Sequence, residues 1–101
     1  MLRDRFKESL AEAMKAQDEI SVSTLRLILA ALKDREIAAR SKGSTACPDD
    51  DAIMDLLQSM VRQRRESIGL YQTAQRPDLA EREQKEIEVI ERFLPRQLTG
   101  E

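Results

Sequence analysis

Apolar residues recur at helical spacing along nearly the whole chain, and the gaps between the stripes divide it into four helices. Leu2, Phe6, Leu10 and Met14 fall every four residues with Ala13 beside them, which predicts a first helix over 2–17. Ser21 or Ser23 can cap a second helix over 22–41, whose main face is Val22, Leu25, Ile28, Leu29 and Leu32. Leu27 and Ala31 add a second apolar face to it, so this helix is expected to sit centrally with neighbours on two sides. The run SKGSTA from Ser41 to Ala46 carries breaker chemistry and reads as a loop. Pro48 then suits the first turn of a third helix over 48–74, because its missing N–H is not needed there. Pro77 opens a fourth helix over 77–94, which stops before Pro95. The pattern predicts an all-α fold of four helices, the last two folded back as a long antiparallel hairpin about position 76.

Charged residues interrupt the stripes of that hairpin. On a helical wheel of about 100° per residue, Arg64 falls within the face made by Ile53, Leu57, Met60, Ile68 and Tyr71. Glu83 and Glu86 fall within the face made by Leu79, Ile87, Ile90 and Phe93. Folding the two helices back on each other brings Arg64 near both carboxylates. Burying an unpaired charge costs several kcal/mol, so Arg64, Glu83 and Glu86 are expected to form a structural ion pair. The arginine is expected to lower the carboxyl pKa values, which argues against a general acid here. Glu36 continues the main stripe of the second helix and is a further candidate for an internal pair.

Composition narrows the function classes. The 101 residues suit one domain, and 36% charged with 41% hydrophobic residues suits amphipathic helices. No histidine is present, which excludes Ser-His-Asp and Cys-His catalysis, HExxH zinc sites and carboxylate–histidine di-iron sites. The net charge of −2 creates no global attraction for nucleic acid, so any RNA contact must use a local basic patch. Cys47 is the single cysteine, cannot form an internal disulfide, and has no base beside it to make a nucleophile. The longest apolar run, Leu27 to Leu32, is far short of the ~20 residues of a membrane helix. The N-terminal MLRDRFKESLAEAMK carries Asp4, Glu8 and Glu12 and resembles neither a signal nor a transit peptide. These features lead to the expectation of a cytoplasmic protein with no membrane contact.

Arg62, Arg64 and Arg65 form the densest basic cluster, with Arg76 a few turns on. Arg62 and Arg65 point off the apolar stripe and, with Arg76, are the candidate phosphate contacts, set against a plain solvated face braced by Arg62–Glu66. Asp49, Asp50, Asp51 and Asp55 lack EF-hand spacing and its glycine. They suit a helix N-terminus better than a metal site. Neither a catalytic constellation nor a cofactor or metal site emerges from the residues.

The segments STLRLILAALKDREI at 23–37, QRRESIGLY at 63–71 and RPDLAEREQKEIEVIERFLPRQL at 76–98 resemble the GatB/YqeY-like family in order and spacing. Its most specific pieces are Gln63-Arg64-x-x-Ser67, Arg76-x-Asp78-Leu79, the Glu83/Glu86 pair and Leu94-Pro95-x-Gln97. Thr99 reads as the N-cap of a further helix that is not present. The resemblance implies a larger N-terminal helical subdomain, here 1–98, with 99–101 the start of a second small helical one that is expected to be absent. A related domain forms the tail of the B subunit of the tRNA-dependent amidotransferase, a carbon–nitrogen ligase using glutamine as amido donor. There it helps hold misacylated tRNA, and similar modules are appended to some glutaminyl-tRNA synthetases. The resemblance therefore implies a noncatalytic tRNA-associated accessory module, with tRNA rather than DNA as partner, or an amidotransferase or synthetase subunit. The alternative is a protein-interaction or structural domain with no RNA contact. Members often carry Gly where this chain has Gln75, so the turn after the third helix departs from the family pattern.

Overall fold

The computed structural model describes residues 2–43 and 49–94. They form four helices, α1 (Leu2–Ala16), α2 (Glu19–Ser41), α3 (Asp50–Thr73) and α4 (Pro77–Glu91), with no strand among the described residues. The fold is all-α. The α3–α4 hairpin is the most extensive packing, while α1 lies against α2 and α2 against α4. Phe6, Leu25, Ile28, Leu32, Leu57, Ile87 and Ile90 meet at the centre and are almost wholly buried. Phe6 of α1 meets Phe93 edge-to-face, ring centroids 4.8 Å apart, and Arg5 covers the Phe93 ring from outside at 5.4 Å. Such pairs add about 0.5–1.5 kcal/mol beyond the area they bury.

The α1 face departs from its expected composition. A four-residue repeat drifts by about 40° per step on an α-helix, so the fourth member lies well round the side. Met14 is half exposed for that reason, and Ala13 takes its place in the core. Gln17 then adopts φ 58° and ends the helix. Its N–H donates to the Met14 carbonyl at 3.2 Å and that of Asp18 donates to Ala13 at 3.0 Å, the two bonds of a Schellman closure.

Neither Ser21 nor Ser23 caps α2. Asp18 does, because its carboxylate accepts both from the Ser21 N–H at 3.2 Å and from the Ser21 hydroxyl at 2.7 Å. These bonds hold the Asp18 carboxyl below the usual carboxylate range. The helix consequently starts at Glu19, three residues earlier than expected. It has two neighbours, but both lie on its main apolar side. Of its second apolar face, Leu27 stays 50% exposed while Ala31 is partly buried against the core.

Asp49 caps α3 by accepting from the Ala52 N–H at 2.9 Å, so the helix begins at Asp50 rather than 48. Asp50 and Asp51 then occupy the first turn, where the helix dipole favours negative charge. At the other end Gln75 sits at φ 60°, with Gln75 N–H donating to Gln72 at 3.1 Å and Arg76 N–H to Tyr71 at 2.8 Å. The left-handed closure forms without its usual glycine. Helix α4 gives way to tighter turns after Glu91, three residues before the expected end. Leu94 precedes a proline, and that neighbour disfavours continued helix. Pro48 in the first turn of α3, the Cys47 loop, Pro95-x-Gln97 and the cap at Thr99 lie outside the described residues.

Candidate functional site

The charged residues gather along the seam between α3 and α4. Arg64 is part of the apolar stripe of α3, with Met60 one turn before it and Leu57 beyond. Its Nε donates to Glu86 Oε1 at 2.9 Å, and its Nη1 donates to the Met60 carbonyl at 3.3 Å. The two side chains retain only 13% and 10% of their exposure, so the pair is largely removed from water. Arg82 closes the other oxygen of Glu86 from the exposed edge of α4, at 3.4 Å and one helical turn away. Glu86 thus has one buried and one solvent-facing guanidinium.

Glu83 stands beside this pair and has the opposite environment. Its carboxyl is pushed above the ordinary 4.5, first by burial, then by the neighbouring Glu86 charge and a hydrogen bond with it. Arg64 and the Ser67 hydroxyl pull the other way but do not prevail. The net shift of Glu83 is therefore upward, against the expectation that the arginine would hold its carboxyl low, because the Arg64 guanidinium makes its hydrogen bond to Glu86.

The candidate phosphate contacts separate when placed on the fold. Arg65 donates to Glu91 of α4 at 3.1 Å, and Arg76 chelates Asp78 through Nε at 3.2 Å and Nη2 at 3.1 Å. That contact raises the Arg76 guanidinium and lowers the Asp78 carboxyl. Arg62 is exposed and has no carboxylate partner among the described residues. Sequence spacing placed Glu86 near Arg64 but did not disclose Glu91 and Asp78 as the partners of Arg65 and Arg76. The 82/86 spacing and the antiparallel register were the available signals. Glu36 is paired with Arg3 of α1, which ties the first two helices together across their partly buried flank.

Little else offers chemistry. A cleft of about 410 Å³ opens past the end of α4, where Leu2, Arg5, Met54, Arg92 and Phe93 meet. It holds two guanidinium groups and the Asp50 carboxylate but no nucleophile with a base beside it. Among the described residues no group of three or more acidic or cysteine side chains is placed to hold a metal ion. No described helix is long and apolar enough to cross a membrane.

Known proteins share this pattern. A protein from Lachancea thermotolerans named altered inheritance of mitochondria protein 41, mitochondrial, is 38% identical over 89 residues, 88% of this chain and 46% of its own length. Its namesake from Candida glabrata is 36% identical over 88% of this chain and 47% of its own length. That of Saccharomyces cerevisiae is 32% identical with the same coverage of this chain and 46% of its own. The chain spans about half the length of the curated relatives it matches. Their names overturn the cytoplasmic expectation, which rested on missing targeting and membrane features, since all three are mitochondrial proteins. The family model described as Yqey-like protein matches residues 3–101, so this chain belongs to the YqeY-like family.

Proposed function

We propose that this chain is a noncatalytic accessory module that associates with tRNA, holding it for a partner enzyme rather than reacting with it. The observation that carries the noncatalytic part is the closed seam: Arg64, Arg82 and Glu86 satisfy one another in ion pairs. Groups so committed brace two helices and are not themselves free to act as an acid–base couple on a substrate. The tRNA part rests on resemblance to the tail domain of the tRNA-dependent amidotransferase B subunit. The names of the relatives support a mitochondrial setting for that work.

A second reading is favoured by the half-exposed Leu27 and Ile37 and the 71% exposed Leu70, which would suit a protein-docking surface. A filter-binding titration of tRNA across a salt series separates the two. Phosphate contacts release counterions, so RNA binding must weaken steeply as salt rises. We expect saturable binding with that salt slope. Negligible, salt-insensitive retention would sink the tRNA reading in favour of protein docking.

A further inference from the structure

Five arginines among the described residues are matched by carboxylates within reach: Arg3, Arg64, Arg65, Arg76 and Arg82. The outer face of α2 is different. Arg26, Lys33 and Arg40 are spaced by seven residues, so they fall nearly in line, about 10 Å apart along a helix rising 1.5 Å per residue. All three are exposed, and none has a carboxylate in ion-pair contact among the described residues. Between them on the same line lie Ala30 and Ile37, which carry no charge. The nearest acids on the helix are set apart. Glu36 is committed to Arg3, Asp34 lies well round the side from Lys33, and Glu19 closes the line at its N-terminal end. Helix α2 packs on α1 and α4 through its other side, so the ridge is open to solvent along its length.

We infer that the outer face of α2 is a phosphate-tracking ridge that contacts the backbone of a duplex RNA arm. This rests on the proposed tRNA association and moves its contact away from the arginine cluster of α3. In a chain of net charge −2, long-range attraction is weak, so binding needs a local line of unneutralised cations. The α3 cluster does not supply one, because Arg64 and Arg65 are already paired. A duplex is preferred to a single strand because single-strand recognition stacks bases on exposed aromatic rings. Here Phe6 and Phe93 are buried and Tyr71 is half-buried. A membrane surface is disfavoured because only Leu27 and Ile37 are large and exposed on this side, too little apolar area for insertion.

The test uses the full chain with tRNA, a duplex RNA hairpin and a single-stranded RNA of equal length. Arg26→Gln/Lys33→Gln/Arg40→Gln is compared with Arg62→Gln/Arg65→Gln, both checked for retained helicity and melting. The α2 variant should lose about two to three units of the log–log salt slope and at least about tenfold in affinity. The α3 variant should lose about one unit at most, and Arg26→Lys/Arg40→Lys should bind like the unaltered chain. The hairpin should bind more tightly than the single strand. If the unaltered chain binds tRNA but the α2 variant keeps its affinity and slope, the ridge is overturned while tRNA association stands. If the loss follows the α3 variant, the ridge is likewise overturned. If the unaltered chain binds no RNA, both fall.

Discussion

Replacing Arg64 by alanine leaves Glu86 facing the α3–α4 seam with its buried partner gone. The guanidinium that is lost makes a 2.9 Å charge-assisted bond and keeps only 13% of its exposure. Breaking a buried pair from one side typically costs about 3–5 kcal/mol, because the remaining charge is desolvated without compensation. Arg82 still reaches Glu86 from the surface at 3.4 Å, so the lower end, about 3 kcal/mol, is expected. For a domain of this size that corresponds to a fall in melting midpoint of roughly 10–25 °C. Chemical and thermal unfolding followed by helical circular dichroism measure it directly. Arg82→Ala is the control, and its exposed contact should cost no more than about 1 kcal/mol. A change within about 0.5 kcal/mol for Arg64→Ala, or equal costs for the two variants, would refute the reasoning.

Three further outcomes follow from local features. Gln75→Gly should stabilise the fold by about 0.5–1 kcal/mol, since a side chain at positive φ costs about 1–2 kcal/mol and glycine's greater unfolded freedom offsets part of the gain; denaturant melts showing a loss would contradict it. Glu83→Gln should raise the melting midpoint at neutral pH. A carboxyl whose folded pKa is raised weakens the fold above that pKa and not below its ordinary 4.5, so the gain should fade as pH drops toward that range. Asp18→Ala should behave in the opposite sense: a carboxyl held low by Ser21 stabilises at neutral pH, so the variant melts earlier there and converges with the unaltered chain in acid. A pH series of melts distinguishes all three patterns.

The helices were legible because amphipathic spacing and proline positions are local properties of the chain, as the starts at Leu2 and Pro77 illustrate. Arg64 and Glu86 were legible for a related reason: a charge on an apolar stripe demands a partner, and a hairpin about position 76 supplies it. The errors arose where side chains compete for the same backbone group. Asp18 outcompetes Ser21 as a cap because one carboxylate can accept from both the amide and the hydroxyl of that serine. Met14 lies off the core because a four-residue repeat drifts off the helix face, and of the Leu27/Ala31 face only Ala31 reaches the core. The raised Glu83 carboxyl depends on which of two acids the arginine selects, a choice fixed only by three-dimensional geometry. Likewise, the acids beside Arg65 and Arg76 were not legible, because they lie across the hairpin or just past the turn.

In the proposed arrangement the α3–α4 seam is structural and recognition occurs on the outer surface. The most direct test of that arrangement removes the seam's charge without leaving a stranded partner, using Arg64→Met, Glu83→Gln and Glu86→Leu together. Replacing a buried ion pair with apolar groups of similar volume is often neutral or stabilising by about 1–4 kcal/mol. The triple variant should therefore melt at or above the unaltered chain and retain its tRNA affinity and salt slope in the same titration. A well-folded triple variant that has lost tRNA binding would contradict the account and make the seam itself the functional site.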